Sequence, residues 1–409
     1  MEKEALAKFG ALHGLKVLEI GSTASGPFCG RMFADFGADV VKIESPDGDP
    51  IRGLGHEMNG KSLYAASILR NKLNVSIDLK KTEGQSLVKE LISDIDIVIE
   101  NFRPGTLEKW GVGYEDLSRI NPQLIMIRIS GYGQTGCYKH KPGYGVIGEA
   151  MSGLRDLIGE PDRPPSRVAM PLTDYVTALY AVIGGLMAVR ARSITGKGQM
   201  IDVSLIESAF SFMESYVPAY AQKGIEETRS GARLPNSAPN TIFKCKDGEY
   251  IHIAALADNV FRRLAMAMGN PALGENNKFS TQKSRNANES EIEKIIQHWA
   301  GRNDSSVVQS ALDENDVPAA KVYKMKDIFG DDYFRSRDML VDVPDEDIGV
   351  ITLAGVIPRL SETPGSIRWT GKKTGEDTRN FLKNRMQLSE DRIGNLFQSG
   401  VVFSHQNRN

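Results

Sequence analysis

Cysteine is scarce in this chain. Cys29, Cys137 and Cys245 are the three cysteines in 409 residues, and they lie far apart with no CxxC pair. That argues against a disulfide framework or a zinc site and suits a reducing cytosol. Histidine is equally sparse: His13, His56, His140, His252, His298 and His405 are scattered, and no pair has metal-ligand spacing. No GxSxG segment occurs, so the serine elbow of the α/β-hydrolases is missing. Neither sign of charge is in excess, with 50 basic and 52 acidic residues and a net charge of −2. This gives no support for general nucleic-acid binding and no acidic tail. Long hydrophobic runs are lacking too. The longest uncharged apolar run, Val176 to Val189, has 14 residues, whereas crossing a bilayer takes roughly 20. The opening MEKEALAKFGALHG mixes charges and has no apolar centre, so it does not read as a signal peptide. A soluble cytoplasmic protein is expected, with no metal and no prosthetic group.

What is present is a large core and a regular alternation. At 41% apolar residues the chain can bury an extensive interior, and its length suggests two or three domains. LKVLEI (15–20), DVVKIE (39–44), NVSIDL, DIVIEN and LIMIRIS (124–130) read as strands rich in Val and Ile. Helical segments such as PFCGRMFADFGA and TEGQSLVKELIS separate them. That pattern predicts a parallel sheet covered on both faces, a Rossmann-like α/β domain. A long helix is expected over about 174–192, followed by the TGKGQ turn and the strand MIDVSL. Residues 223–240 are rich in turn formers and read as a linker. Beyond them, IFKCKDGEYIHIAA predicts two strands hinged on Asp247-Gly248, then helices to about 317, then short strands and two final helices. The closing SHQNRN reads as a disordered tail. There is no internal repeat.

Three segments carry candidate chemistry. GYGQTG (131–136) fits the spacing of the dinucleotide fingerprint. However, that motif opens a helix after the first strand of its unit, and here CYKHKPGYG follows as a loop. In ENFRPGTLEKWG (100–111), Asn101, Phe102 and Arg103 fall at a strand's carboxyl end, where open α/β sheets bind ligands. Arg103 and Lys109 could meet an anion there, or the segment is a solvated Pro-Gly turn. Asp174 stands in PLTDYVTALYA at the start of the long helix. It is either the helix cap, a role that Asp favours, or a reagent. The two are compatible, because a helix N-terminus stabilises a carboxylate and carboxylates serve as covalent nucleophiles.

Taken jointly, the segments resemble a family. GLKVLEIGSTASGPFCGRMFADFGADVVKIE, SLYAASILRNKLNVSIDLK, ENFRPGTLEKWG, ISGYGQTG, PLTDYVTALYA, TGKGQMIDVSL and NDVPAAKVYKMKDIF stand in the order and spacing of the class III CoA-transferases over almost the full length. These include formyl-CoA:oxalate, crotonobetainyl/carnitine and succinyl-CoA-dependent enzymes, with α-methylacyl-CoA racemase a relative. GYGQTG is one of the family's segments, which further weakens the dinucleotide reading. The resemblance implies a large α/β domain from residues 1–222 and 326–409, a small α+β domain with linkers at 223–325, and an interlaced homodimer. It implies coenzyme A and acyl-CoA as substrates, with a small carboxylic acid as acceptor. Asp174 matches the family's nucleophile, which forms an acyl-aspartyl anhydride and then an aspartyl-CoA thioester. Ala24 and Ser25 match positions beside the CoA chain, and Ser45 a position where the family can carry an arginine toward CoA. Ile77, Asp78, Leu79 and Lys80 match the adenosine-binding run. Asn101, Phe102, Arg103 and Lys109 match residues around the nucleotide and pantetheine. Gly143, Tyr144 and Gly145 match the loop over the thioester.

Three departures stand out. Ala24 replaces a functional glutamine of the formyl-CoA enzymes, and GARLPNSAPNTI (231–242) lacks their glycine-rich flap. Tyr144-Gly145 replaces the His-Asp pair of the racemases, which removes their imidazole base. The expected function is acyl-CoA:carboxylate CoA transfer, with succinyl-CoA as the candidate donor. The alternatives are an acyl-CoA racemase or isomerase and a non-catalytic acyl-CoA-binding protein. Arg52, Arg103, Arg167, Arg229 and Arg233 are candidates to hold a second carboxylate.

Overall fold

The computed structural model describes residues 10–405. The start of the N-terminal segment and the last four residues of SHQNRN, for which a disordered tail is expected, lie outside the described residues. The chain forms two compact units: Met1–Leu154 with Val168–Pro218 and Tyr333–Asn409, and Arg155–Arg167 with Ala219–Asp332.

The first unit is built on six parallel strands: β1 (Lys16–Glu19), β2 (Asp39–Glu44), β3 (Leu73–Ile77), β4 (Ile97–Glu100), β5 (Ile125–Ser130) and β6 (Met200–Ser204). Their order across the sheet is β3-β2-β1-β4-β5-β6, and Val402–Phe403 adds a short antiparallel strand beside β3. This is the doubly wound order of dinucleotide-binding folds, which reverses direction between β1 and β4. Successive strand residues point to opposite faces, so each face needs its own cover. Leu18, Val41, Val75, Val98 and Met126 face a core with Leu87, Leu117, Phe381 and Leu396. Val17, Val40, Ile97, Ile127 and Ile129 face Phe33 and Ala34, and beyond them Ala178, Ala181 and Ala188.

Three helices position the site: α1 (Ser25–Asp35), α2 (Leu63–Ile68) and α3 (Leu172–Thr195). Pro27 falls in the first turn of α1, where backbone donors have no intrahelical partner to lose. The helix stops at Gly37 (φ +96°). Gly37 N donates to Ala34 O at 3.0 Å and Ala38 N to Phe33 O at 3.1 Å. That bond pair requires a left-handed residue, and glycine adopts it without Cβ strain.

Helix α3 runs 24 residues and is long and apolar enough to cross a membrane by length and composition alone. Its buried face carries Thr173, Thr177, Ala178, Ala181, Gly185 and Ala188. These small side chains let the helix lie close to the sheet. The opposite face exposes Leu179, Tyr180, Ile183, Met187 and Ile194.

In the second unit, Ala319–Lys321, Tyr250–Ala254 and Asn240–Lys244 form an antiparallel sheet. The turn at Asp247-Gly248 joins its two longer strands, with Gly248 N donating to Cys245 O. Its core gathers Phe243, Ile251 and Ile253 against Phe261, Leu264, Ile292, Ile296 and Leu312.

Candidate active site

The loops leaving β1, β2, β3, β4 and β5 meet at the carboxyl edge of the sheet. Asn101, just past β4, fastens this edge across the point where the strand order reverses. Its Oδ1 accepts from Ser22 N at 2.8 Å, and its Nδ2 donates to Ser22 O at 2.8 Å and Ser25 Oγ at 3.2 Å. The side chain thus holds the loop that delivers Ala24 and Ser25 to the start of α1. Two cavities open beside this clamp.

The larger cavity, about 520 Å³, is lined by Ser45, Ile77, Asp78, Leu79, Lys80 and Phe102, among others. Asp78 Oδ1 accepts from Lys80 N at 3.0 Å, which shapes the turn after β3. Ser45 Oγ donates to Gly48 O at 3.0 Å across the turn after β2. Trp110 meets Phe102 edge-on, with ring centroids 5.3 Å apart, and both rings line the cavity.

A buried ionic cluster lies under this edge. Lys42 Nζ contacts Glu19 Oε1 at 2.9 Å, Asp49 Oδ2 at 2.8 Å and Gly21 O at 2.7 Å. Lys72 Nζ takes the other Glu19 oxygen at 2.6 Å. Asp49 Oδ1 accepts from Thr23 N at 2.8 Å and Ile51 N at 2.9 Å, so the cluster also braces the loop before Ala24. Burial, the largest effect on Asp49, opposes its ionisation. The Lys42 ammonium and the backbone donors outweigh it and hold the carboxyl below its ordinary value. For Lys42, burial is likewise outweighed, by the carboxylates of Glu19, Asp49 and Glu44, and its pKa is raised.

The smaller cavity, about 240 Å³, brings together Ala24, Ser25, Asn101, Phe102, Arg103, Gly143, Tyr144 and Asp174. Asp174 lies in the first turn of α3, but it is not the cap: the N-cap is Pro171, with no side-chain cap hydrogen bond. The capping expectation therefore fails by three residues, while the favourable dipole end remains. Gly145 starts the helix Gly145–Met151. A Cβ there would run into Asp174 Oδ2, so the missing side chain is what makes room for the carboxylate. Phe102 lines both cavities.

Most of the expected residues converge here. Lys109 does not: it is exposed on the short helix Thr106–Lys109 and lines neither cavity. No histidine lines either cavity. Lys141 was missed, although it stands two residues before Gly143; it lines the smaller cavity, with its Nζ 3.6 Å from the Tyr138 ring centroid. Of the arginine candidates, Arg52 is taken by Glu44 at 2.6 Å, Arg229 by Asp156 at 2.6 Å and Arg233 by Glu293 at 2.7 Å. Arg103 and Arg167 are exposed.

Comparison with known proteins agrees with this architecture. Residues 12–378 match CoA-transferase family III. The chain is 43% identical over 393 residues to the succinyl-CoA–D-citramalate CoA-transferase of Chloroflexus aurantiacus, covering 96% of this chain and 98% of the relative. It is 40% identical over 396 residues to the beta subunit of that organism's succinyl-CoA–L-malate CoA-transferase, with coverage of 96% and 98%. Among solved structures, a CaiB/BaiF family protein from Brucella suis superposes with a TM-score of 0.83 at 32% identity, covering 93% of this chain and all of that one. This chain belongs to CoA-transferase family III.

Proposed function

We propose that this enzyme moves coenzyme A from a dicarboxylic acyl-CoA, with succinyl-CoA the leading candidate, to a small dicarboxylate acceptor. The observation that carries the reading is the placement of Asp174 in a cavity that shares Phe102 with a second, larger cavity of about 520 Å³ at the carboxyl edge of the sheet. The substrate class rests on the relatives, whose names pair succinyl-CoA with D-citramalate or L-malate.

In this mechanism the Asp174 carboxylate attacks the thioester carbonyl, and the CoA thiolate leaves a mixed anhydride behind. The thiolate then attacks the aspartyl carbonyl, releasing the donor as its carboxylate and giving an aspartyl-CoA thioester. The acceptor carboxylate attacks that thioester and expels the thiolate. Return of the thiolate to the acceptor's acyl carbon yields the new acyl-CoA and restores Asp174. Two properties support Asp174 as nucleophile: the N-terminal end of α3 favours its ionised form, and the missing side chain of Gly145 makes room for its oxygen. Ser45 and the run Ile77 to Lys80 would receive the adenosine end. Asn101, Phe102 and Arg103 would line the path to the thioester, and Gly143 and Tyr144 would cover it. Racemisation is disfavoured, because neither cavity has an imidazole to act as base.

The protein is proposed to act in the cytoplasm as an interlaced homodimer. The exposed apolar face of α3 supports a covering partner. Because the malate relative is named as a beta subunit, a mixed assembly is the competing outcome. A donor-by-acceptor screen of purified protein, reading each new acyl-CoA by mass, tests the function. Turnover restricted to dicarboxylates supports it, and absence of transfer with every pair contradicts it.

A further inference from the structure

Asp35, at the end of α1, is heavily subscribed. It accepts from Arg70 Nε at 3.0 Å, from Arg70 Nη2 at 2.7 Å and from Asn71 Nδ2 at 2.7 Å. Arg31, one turn earlier, approaches the same carboxylate at 3.7 Å, too far for a hydrogen bond. Its Nε is buried with no hydrogen-bond partner. Burial, and then the like charge of Arg70, lower its pKa to about 10. The site therefore holds a partly desolvated guanidinium that is short of an anion.

Arg31 does not itself line the Asp174 cavity, but a run of contacts leads from its guanidinium toward Asp174. Its Cζ lies 4.2 Å from the centroid of the Phe28 ring, so the side chain folds back toward the N-terminus of α1, as helical side chains lean. That is the end at which Ala24 and Ser25 line the Asp174 cavity. Phe28 packs on Tyr175 with centroids 4.5 Å apart, and Tyr175 follows Asp174 directly. The Tyr175 and Tyr64 hydroxyls are 2.7 Å apart. Burial, the bond to Tyr175 and the Asp174 charge all push the Tyr64 phenol upward, while Arg31 pulls it down. The hydroxyl pair thus lies within the fields of both the carboxylate and the guanidinium.

We propose that Arg31, assisted by the Tyr64 and Tyr175 hydroxyls, receives the distal carboxylate of the dicarboxylic substrate while Asp174 works at the other end. The inference rests on the transferase reading above and names the group that makes it selective. A guanidinium presents paired donors that match a carboxylate. A monocarboxylic acyl group would leave those donors unpaired, so discrimination follows from charge rather than size.

The test compares succinyl-CoA with butyryl-CoA, in which a methyl group replaces the distal carboxylate, using the full chain. The wild type should prefer succinyl-CoA. Arg31→Gln should lower kcat/KM for succinyl-CoA about tenfold or more, mainly through KM. Butyryl-CoA turnover and the affinity for CoA alone should stay unchanged. Arg31→Lys should recover part of the selectivity, and it also serves as the test should the Gln variant not fold. Equal losses with both thioesters, or unchanged selectivity in a folded variant, would overturn the assignment of Arg31. A wild type that uses both thioesters equally well overturns it too, while leaving the transferase reading intact. A wild type that transfers from neither contradicts the transferase reading itself.

Discussion

Gly145 and Asp174 occupy one corner of the fold so tightly that a Cβ on Gly145 would run into Asp174 Oδ2. Gly145 does not need a positive φ, so the requirement for glycine is one of space and not of backbone conformation. Gly145→Ala should therefore fold, with a stability loss of about 1–3 kcal/mol at most. Its transfer rate should fall about 100-fold, because the carboxylate is displaced from its productive position. Full activity in a folded Ala variant would show that the contact does not position Asp174.

The ionic cluster under the β1–β2 edge makes a stability prediction. Lys42→Met leaves Glu19 and Asp49 buried without their shared cation. Breaking such a pair costs about 3–5 kcal/mol at neutral pH. In the wild type the Asp49 pKa is depressed. Its contribution is thus present above the unfolded carboxyl value, about 3.9, and is lost as pH falls through the folded value. In Lys42→Met burial acts on Asp49 without that cation to offset it, so protonation of Asp49 relieves the variant and the gap to wild type should narrow toward pH 5. Denaturant titrations at pH 7 and pH 5 decide this, and a gap that widens on acidification contradicts it.

The strands, their parallel pairing and the two-sided core were legible in the sequence, since Val- and Ile-rich runs such as 39–44 and 125–130 separate helical segments cleanly. The order β3-β2-β1-β4-β5-β6 was not legible from periodicity, because it depends on which strands meet after long connections. The strand Val402–Phe403 is too short to leave a pattern. Asp174 misled as a cap because Asp favours that position, yet α3 begins earlier, after Pro171. Its place in the cavity was nevertheless expected from the joint spacing of the family segments. Arg31 was invisible for a tertiary reason. In sequence it makes an ordinary i,i+4 pair with Asp35, and only the fold shows that Arg70 and Asn71 already hold that carboxylate.

The cations around the cavities should separate by position. Lys80 lines the larger cavity and Arg103 the smaller, whereas Lys109 lines neither. Lys80→Ala and Arg103→Ala should raise KM for acyl-CoA and weaken its salt dependence, as expected when a contact to a polyanion is lost. Lys109→Ala should behave like the parent. If all three bind acyl-CoA like the parent, the phosphates lie elsewhere.

On α3, Ile183, Met187 and Ile194 are 48%, 66% and 69% exposed, an apolar stripe that favours coverage by another chain. Sedimentation at nanomolar concentration should give a dimer that does not dissociate on dilution. A monomer would contradict the interlaced assembly.

The central claim is that Asp174 becomes covalently modified during transfer. Asp174→Ala should remain folded, losing about 1 kcal/mol or less of dipole interaction, and should lose transfer by orders of magnitude. The most direct measurement is mass spectrometry of the wild type incubated with succinyl-CoA and trapped with hydroxylamine or borohydride. The account predicts modification of the peptide containing Asp174, absent in Asp174→Ala. An unmodified Asp174 peptide during wild-type turnover, together with substantial transfer by a folded Asp174→Ala variant, would contradict it.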